Sequence, residues 1–157
     1  MYVMELKTRL TESVKSAMRE RQSDRLAVLR GLQAAIKQVE IDRRAELGDD
    51  SLLSDDQVLA LLEKQIKQRK ESIAAYNNAS REDLAAKEQF ELDIIAEFLP
   101  AALTEAELNE LITNEIAAQN ATSIRDMGKV MNALRPQIAG RADAAAVSAQ
   151  IKAKLSA

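Results

Sequence analysis

The sequence predicts an all-α protein, and three observations predict it. Turn formers are scarce, with four glycines and two prolines in 157 residues. The composition is rich in good helix formers. Apolar residues recur at three- and four-residue steps in one segment after another. Regular all-β architectures need more turn residues than this. Hydrophobic residues make up 46 %, which argues for a globular chain and against disorder. Aromatics are only 3 %, so the core has to be built from Leu, Ile, Val, Met and Ala.

Each element has its own signal. The first helix is expected over about residues 3–21, with Leu6, Leu10, Val14 and Met18 as its stripe. The second is expected to start at Asp24 as N-cap, to carry Leu29, Leu32, Ile36 and Val39, and to end near Gly48. GDDSLL at 48–53 reads as a loop. Ser54 with Gln57 makes a capping box, S-x-x-Q, that opens a third helix with Val58, Leu61, Leu62, Ile66, Ile73 and Tyr76 on one face. A short loop at Asn77–Ala79 follows. Ser80 with Asp83 reads as a weaker box opening a fourth helix, which carries Leu84, Ile94, Ile95, Phe98 and Leu99 and is stopped by Pro100. Thr104 with Glu107 caps a fifth helix, striped by Leu108, Leu111, Ile112 and Ile116. Ser123 opens a sixth with Met127, Val130, Met131 and Leu134. Asp143 caps a seventh with Val147, Ile151 and Leu155. Pro100 marks the boundary, giving an N-terminal four-helix domain at 1–99 and a smaller three-helix module at 100–157. No internal repeat stands out.

The composition excludes whole classes of chemistry. There is no Cys and no His, hence no disulfide, no Cys/His zinc site, no thiol nucleophile and no His-based acid–base catalysis. Ser, Lys and carboxylates remain, but none forms a recognisable nucleophile motif, and there is no Gly-rich phosphate loop. Asp49–Asp50 and Asp55–Asp56 read as helix-dipole or solvated acids, so no metal and no cofactor is expected. The net charge of −3 gives no bulk attraction for polyanions. No apolar run approaches the roughly 20 residues that span a bilayer. MYVMELKTRL is amphipathic and unlike a signal peptide, so a cytoplasmic, non-membrane protein is expected.

Two sets of polar residues attract notice. Arg69 falls within the apolar stripe of the third helix, and Glu88 and Glu91 fall within that of the fourth. Folding the two helices as a hairpin predicts an Arg69–Glu88/Glu91 pair. That pair either sets register and does nothing else, or forms a polar groove that orients Arg69 toward a ligand. The second set lies in DMGKVMNALRPQIAGRAD at 126–143. Arg125, Lys129 and Arg135 project away from the apolar side of the sixth helix. Arg135 before Pro136 predicts a kink or break. Gly140 can close the helix in a left-handed conformation, and Arg141 sits in the joint. From Ser123 onward there are six basic residues and two acids. A solvated helix face and a phosphate-binding surface both fit that pattern. With so few aromatics, any nucleic acid is expected to be bound by shape and backbone rather than by base stacking.

M-G-K-V-M-x-A-L-x-P-x-x-x-G-R-A-D, from Met127 to Asp143, resembles the signature of the GatB/YqeY family. K-Q-R-K-E-S at Lys67–Ser72, Arg81-Glu82-Asp83-Leu84 and Phe98-Leu99-Pro100 are similar to the stand-alone YqeY-like proteins. The resemblance covers nearly the whole chain. It implies an all-helical, two-part fold whose C-terminal module is similar to the tail of the tRNA-dependent amidotransferase B subunit. That tail helps to hold tRNA. The resemblance thereby implies tRNA as partner, with an aminoacyl-tRNA synthetase or amidotransferase beside it, and Lys129, Arg135, Gly140 and Arg141 as candidate tRNA-binding residues. The family is also described as carbon–nitrogen ligases with glutamine as amido donor. In this chain no glutaminase nucleophile motif or ATP site accompanies that description, so no catalytic residue is assigned. An accessory tRNA-binding module is the first expectation. Amidotransferase-like turnover and a protein-interaction adaptor are the alternatives.

Overall fold

The computed structural model describes residues 5–156, and all the regular structure among them is helical. The order is α1 (Leu6–Arg19), α2 (Ser23–Leu47), a 3-10 turn (Gly48–Ser51), α3 (Asp55–Asn78), α4 (Glu82–Ala96), α5 (Glu105–Ala118), a 3-10 turn (Ile124–Asp126), α6 (Met127–Ile138) and α7 (Ala144–Ser156). The chain divides into two compact units, Met1–Leu99 and Pro100–Ala157.

In the first unit, α3 and α4 form an antiparallel hairpin, α2 packs on α1 and α4, and α1 also touches α3. Leu10, Ala17, Leu29, Leu32, Ile36, Val58, Leu62, Ile95 and Phe98 make the core. The Ser54 hydroxyl accepts from Gln57 N–H while the Gln57 side chain accepts from Ser54 N–H, so the capping box opens α3. Arg25 grips Glu97 with two hydrogen bonds of 2.6 and 3.0 Å, which pins the turn after α4. Arg9 adds a bond to the Glu97 carbonyl and lies over the Phe98 ring.

Several local expectations need correction. Met18 is 52 % exposed, and Ala17 is buried in its place. Asp24 does not cap α2, because the helix begins at Ser23 and Asp24 lies inside its first turn, where its charge still favours the positive end of the helix. Ser80 and Asp83 form no capping box. Ser80 instead has φ +57, and Arg81 N–H donates to Tyr76 C=O, so Ser80 closes α3 rather than opening α4.

In the second unit, α6 packs on α5 and α7. Leu108, Ile112, Val130, Leu134, Val147 and Ile151 fill the centre. Thr104 caps α5 by accepting from Glu107 N–H. Ser123 opens a 3-10 turn before α6 rather than α6 itself. Of the kink or break expected at Arg135, the break does not occur, since α6 runs through Pro136 to Ile138. The carbonyl that a proline leaves without an N–H belongs to Asn132, an exposed residue whose carbonyl solvent can satisfy.

Candidate functional site

Val130, Met131, Leu134 and Ile138 bury one side of α6. That leaves the rest of the helix surface to solvent, and Lys129 and Arg135 are exposed on it, with Arg125 exposed on the preceding turn. On α7, Lys152 and Lys154 are also exposed. Charge is separated within this unit. Helix α5 carries Glu105, Glu107, Glu110 and Glu115 and no base, while the bases all lie from Arg125 onward. Lys129 Nζ is 3.9 Å from Asp126 Oδ1, a loose i,i+3 pair. The N–H of Thr122, seconded by that of Ser123, holds the Asp126 carboxyl below the ordinary carboxylate range, and Lys129 adds to the effect.

Arg141 is placed differently from the other candidates. Its Nε donates to Ala101 C=O at 3.0 Å, and its Nη2 lies 3.9 Å from Glu107 Oε2. Its backbone N–H donates to Ile138 C=O, and its carbonyl accepts from Leu103 N–H. Arg141 thus ties the segment before α5 to the α6–α7 joint. Gly140 has φ +70, a conformation that costs a side-chain-bearing residue about 1–2 kcal/mol. It turns the chain so that Arg141 meets Ala101. The structure therefore divides the candidates. Lys129 and Arg135 are exposed side chains, whereas Gly140 and Arg141 are built into the joint.

The first unit brings Arg69, Glu88 and Glu91 together. Arg69 Nη1 lies 2.8 Å from Glu88 Oε2 and 2.7 Å from Glu91 Oε2, in a half-buried seam of the α3–α4 hairpin. Lys64, Lys67 and Lys70 are exposed on α3. A second ionic cluster carried no expectation from the sequence. Glu40, buried on α2, accepts from Lys7 Nζ of α1 and from Leu53 N–H at 2.8 Å. Its signal was present, because Glu40 continues the Leu29–Leu32–Ile36 stripe.

Among the described residues no group of three or more acids is placed to hold a metal ion. No helix among them is long and apolar enough to cross a membrane. The arrangement is that of a helical protein with an exposed cationic helix face and internal ionic ties.

The chain belongs to the Yqey-like protein family, whose model matches residues 7–155. It is similar to proteins called "Altered inheritance of mitochondria protein 41, mitochondrial". That of Pyrenophora tritici-repentis is 33 % identical over 147 residues, covering 92 % of this chain and 77 % of the relative. That of Lachancea thermotolerans is 35 % identical over 108 residues, covering 67 % and 54 %. That of Eremothecium gossypii is 35 % identical over 102 residues, covering 65 % and 52 %. The matches to these last two span about half of each relative's length.

Proposed function

We propose that the second unit is a tRNA-binding accessory module, related to the tail of the tRNA-dependent amidotransferase and acting alone or beside a synthetase or amidotransferase in the cytoplasm. The observation that carries this reading is the set of exposed cations on and before α6, Arg125, Lys129 and Arg135, on a unit whose acids are concentrated on α5. The unit's sequence contains no aromatic residue, so contact is made to phosphates and helix shape rather than by stacking on bases.

The test is tRNA binding measured over a range of salt. Each phosphate contact contributes about 0.7–0.9 to the slope of log K against log salt. Arg125→Ala, Lys129→Ala and Arg135→Ala together are expected to reduce that slope by about 2–3 and leave melting unchanged. Arg141→Ala is kept out of this set, because it removes a structural tie. Wild-type binding that is absent, or that the triple variant leaves intact, rejects the reading.

A further inference from the structure

A cleft of about 660 Å³ opens between α2, α3 and α4, within the roughly 300–1,000 Å³ of small-molecule sites. Its accessible apolar surface comes from Ala27 and Val28 on α2 and Phe90 on α4, over the buried Leu32 and Ile95. Phe90 remains 44 % exposed there. Gly31 lines the α2 side, and a Cβ at that position would meet nothing within 4 Å. Neither crowding nor a left-handed backbone calls for glycine here, and glycine is a poor residue for a helix interior. What its bare backbone preserves is the open volume beside it.

The polar end of the cleft is Arg69. Glu88 and Glu91 both sit on its Nη1, which fixes the plane of the guanidinium. Its Nε is enclosed, without a hydrogen-bond partner among the described residues, and offers the cleft no accessible surface. A guanidinium takes carboxylates through directed N–H hydrogen bonds, and Nη2 is the terminal nitrogen that neither glutamate contacts. Lys87 also lines the cleft. We infer that this cleft binds a small carboxylate with an apolar body, the body lying against Phe90, Val28 and Gly31 and the acid group on Arg69 and Lys87. Glu88 and Glu91 already offset Arg69, and Asp24 lines the cleft too. The acid is therefore held by directed hydrogen bonds more than by net charge, and its binding depends only weakly on salt.

The acid has two sources, a free small molecule or the carboxyl end of a polypeptide. The experiment is a ¹⁵N–¹H NMR titration of the full chain with 4-phenylbutyrate, with its amide, and with a short peptide ending in Leu-Phe, free or amidated. Saturable shifts at the Gly31 and Phe90 amides are expected with the acids, and affinity about tenfold weaker with the amides. The tighter of the two acids identifies the source. Gly31→Leu fills the cleft from an exposed helical position with a better helix former, so it is expected to melt no lower than wild type and to lose the binding. No saturable shift at millimolar ligand, equal binding of acid and amide, or wild-type binding by a folded Gly31→Leu each overturns the inference.

Discussion

Replacing Glu40 by Gln tests the ionic tie inside the first unit. One carboxylate oxygen of Glu40, on a residue only 8 % exposed, accepts from Lys7 of α1 and from the Leu53 N–H just ahead of α3. Gln keeps the shape and an acceptor but removes the charge. Hydrogen bonds to charged groups contribute about 1.5–3 kcal/mol, against about 0.5–1.5 for neutral ones. Weakening two of them by roughly 1 kcal/mol each costs about 2 kcal/mol, a fall in Tm of roughly 4–8 °C for a chain of this length. The pH dependence has a definite sign. Burial works against ionisation of Glu40, but the Lys7 ammonium and the Leu53 N–H outweigh it, so the carboxyl is held below its ordinary value. Such a group stabilises the fold above its unfolded pKa, and that contribution is lost as pH falls through the folded value. Wild type therefore loses stability on acidification below about pH 4.3, and Glu40→Gln loses less. Urea unfolding followed by circular dichroism, stepped down in pH, measures both effects. A Gln variant with the wild-type midpoint and the wild-type pH slope would mean that the Glu40 charge contributes nothing to the fold.

Glu88→Gln with Glu91→Gln is expected to cost about 1–3 kcal/mol in thermal unfolding, because Arg69 keeps neutral acceptors in place of charged ones. If the second unit binds tRNA as proposed, the affinity should be unchanged, and a loss of affinity at wild-type stability would instead link the hairpin seam to RNA. Arg141→Ala is expected to destabilise by about 1 kcal/mol through the lost bond to Ala101, whereas Lys129→Ala and Arg135→Ala stay within roughly 0.5 kcal/mol. Equal Tm values for all three would erase the distinction between joint and surface. Gly140→Ala and Ser80→Gly form an opposed pair, both at positive φ. The first should lose and the second gain about 1 kcal/mol, and differential scanning calorimetry that finds both shifts in one direction contradicts the backbone argument.

What was legible in the sequence was local. Capping boxes span three residues, and Ser54/Gln57 and Thr104/Glu107 can be read without knowing the fold. A stripe tolerates little extrapolation. Leu6, Leu10, Val14 and Met18 advance by four, and each step rotates about 40° past a full turn. By Met18 the stripe has left the core, and Ala17, about 20° from Leu6 in projection, takes the place. Arg69, Glu88 and Glu91 stand out because they interrupt apolar stripes, and a single short hairpin brings them into contact. Glu40 interrupts a stripe in the same way, but its partners lie on another helix and in a loop, and no local rule connects them. The end of α3 was illegible for a different reason. Its left-handed closing residue is Ser80 instead of glycine, as Arg21 and Asn120 are for α1 and α5, so the usual signal is missing.

The same distinction between engaged and unengaged charges governs what the α6 face can offer a polyanion. A phosphate taking Arg141 has to displace its bond to Ala101 and strain the joint. A phosphate taking Lys129 displaces only a 3.9 Å pair with Asp126, and such exposed i,i+3 contacts are weak. Asp126 is then the principal opposing charge beside Lys129. The Thr122 and Ser123 amides keep it ionised at neutral pH and well into the acid range. Asn at 126 retains an acceptor for those amides and is as good a capping residue as Asp, while removing the negative charge. If the exposed cations of α6 hold phosphate, Asp126→Asn should tighten tRNA binding severalfold at low salt, and the gain should shrink as salt screens it. Unchanged affinity in a variant that melts like wild type would place the bound phosphates away from Lys129, and with them the surface proposed for this unit.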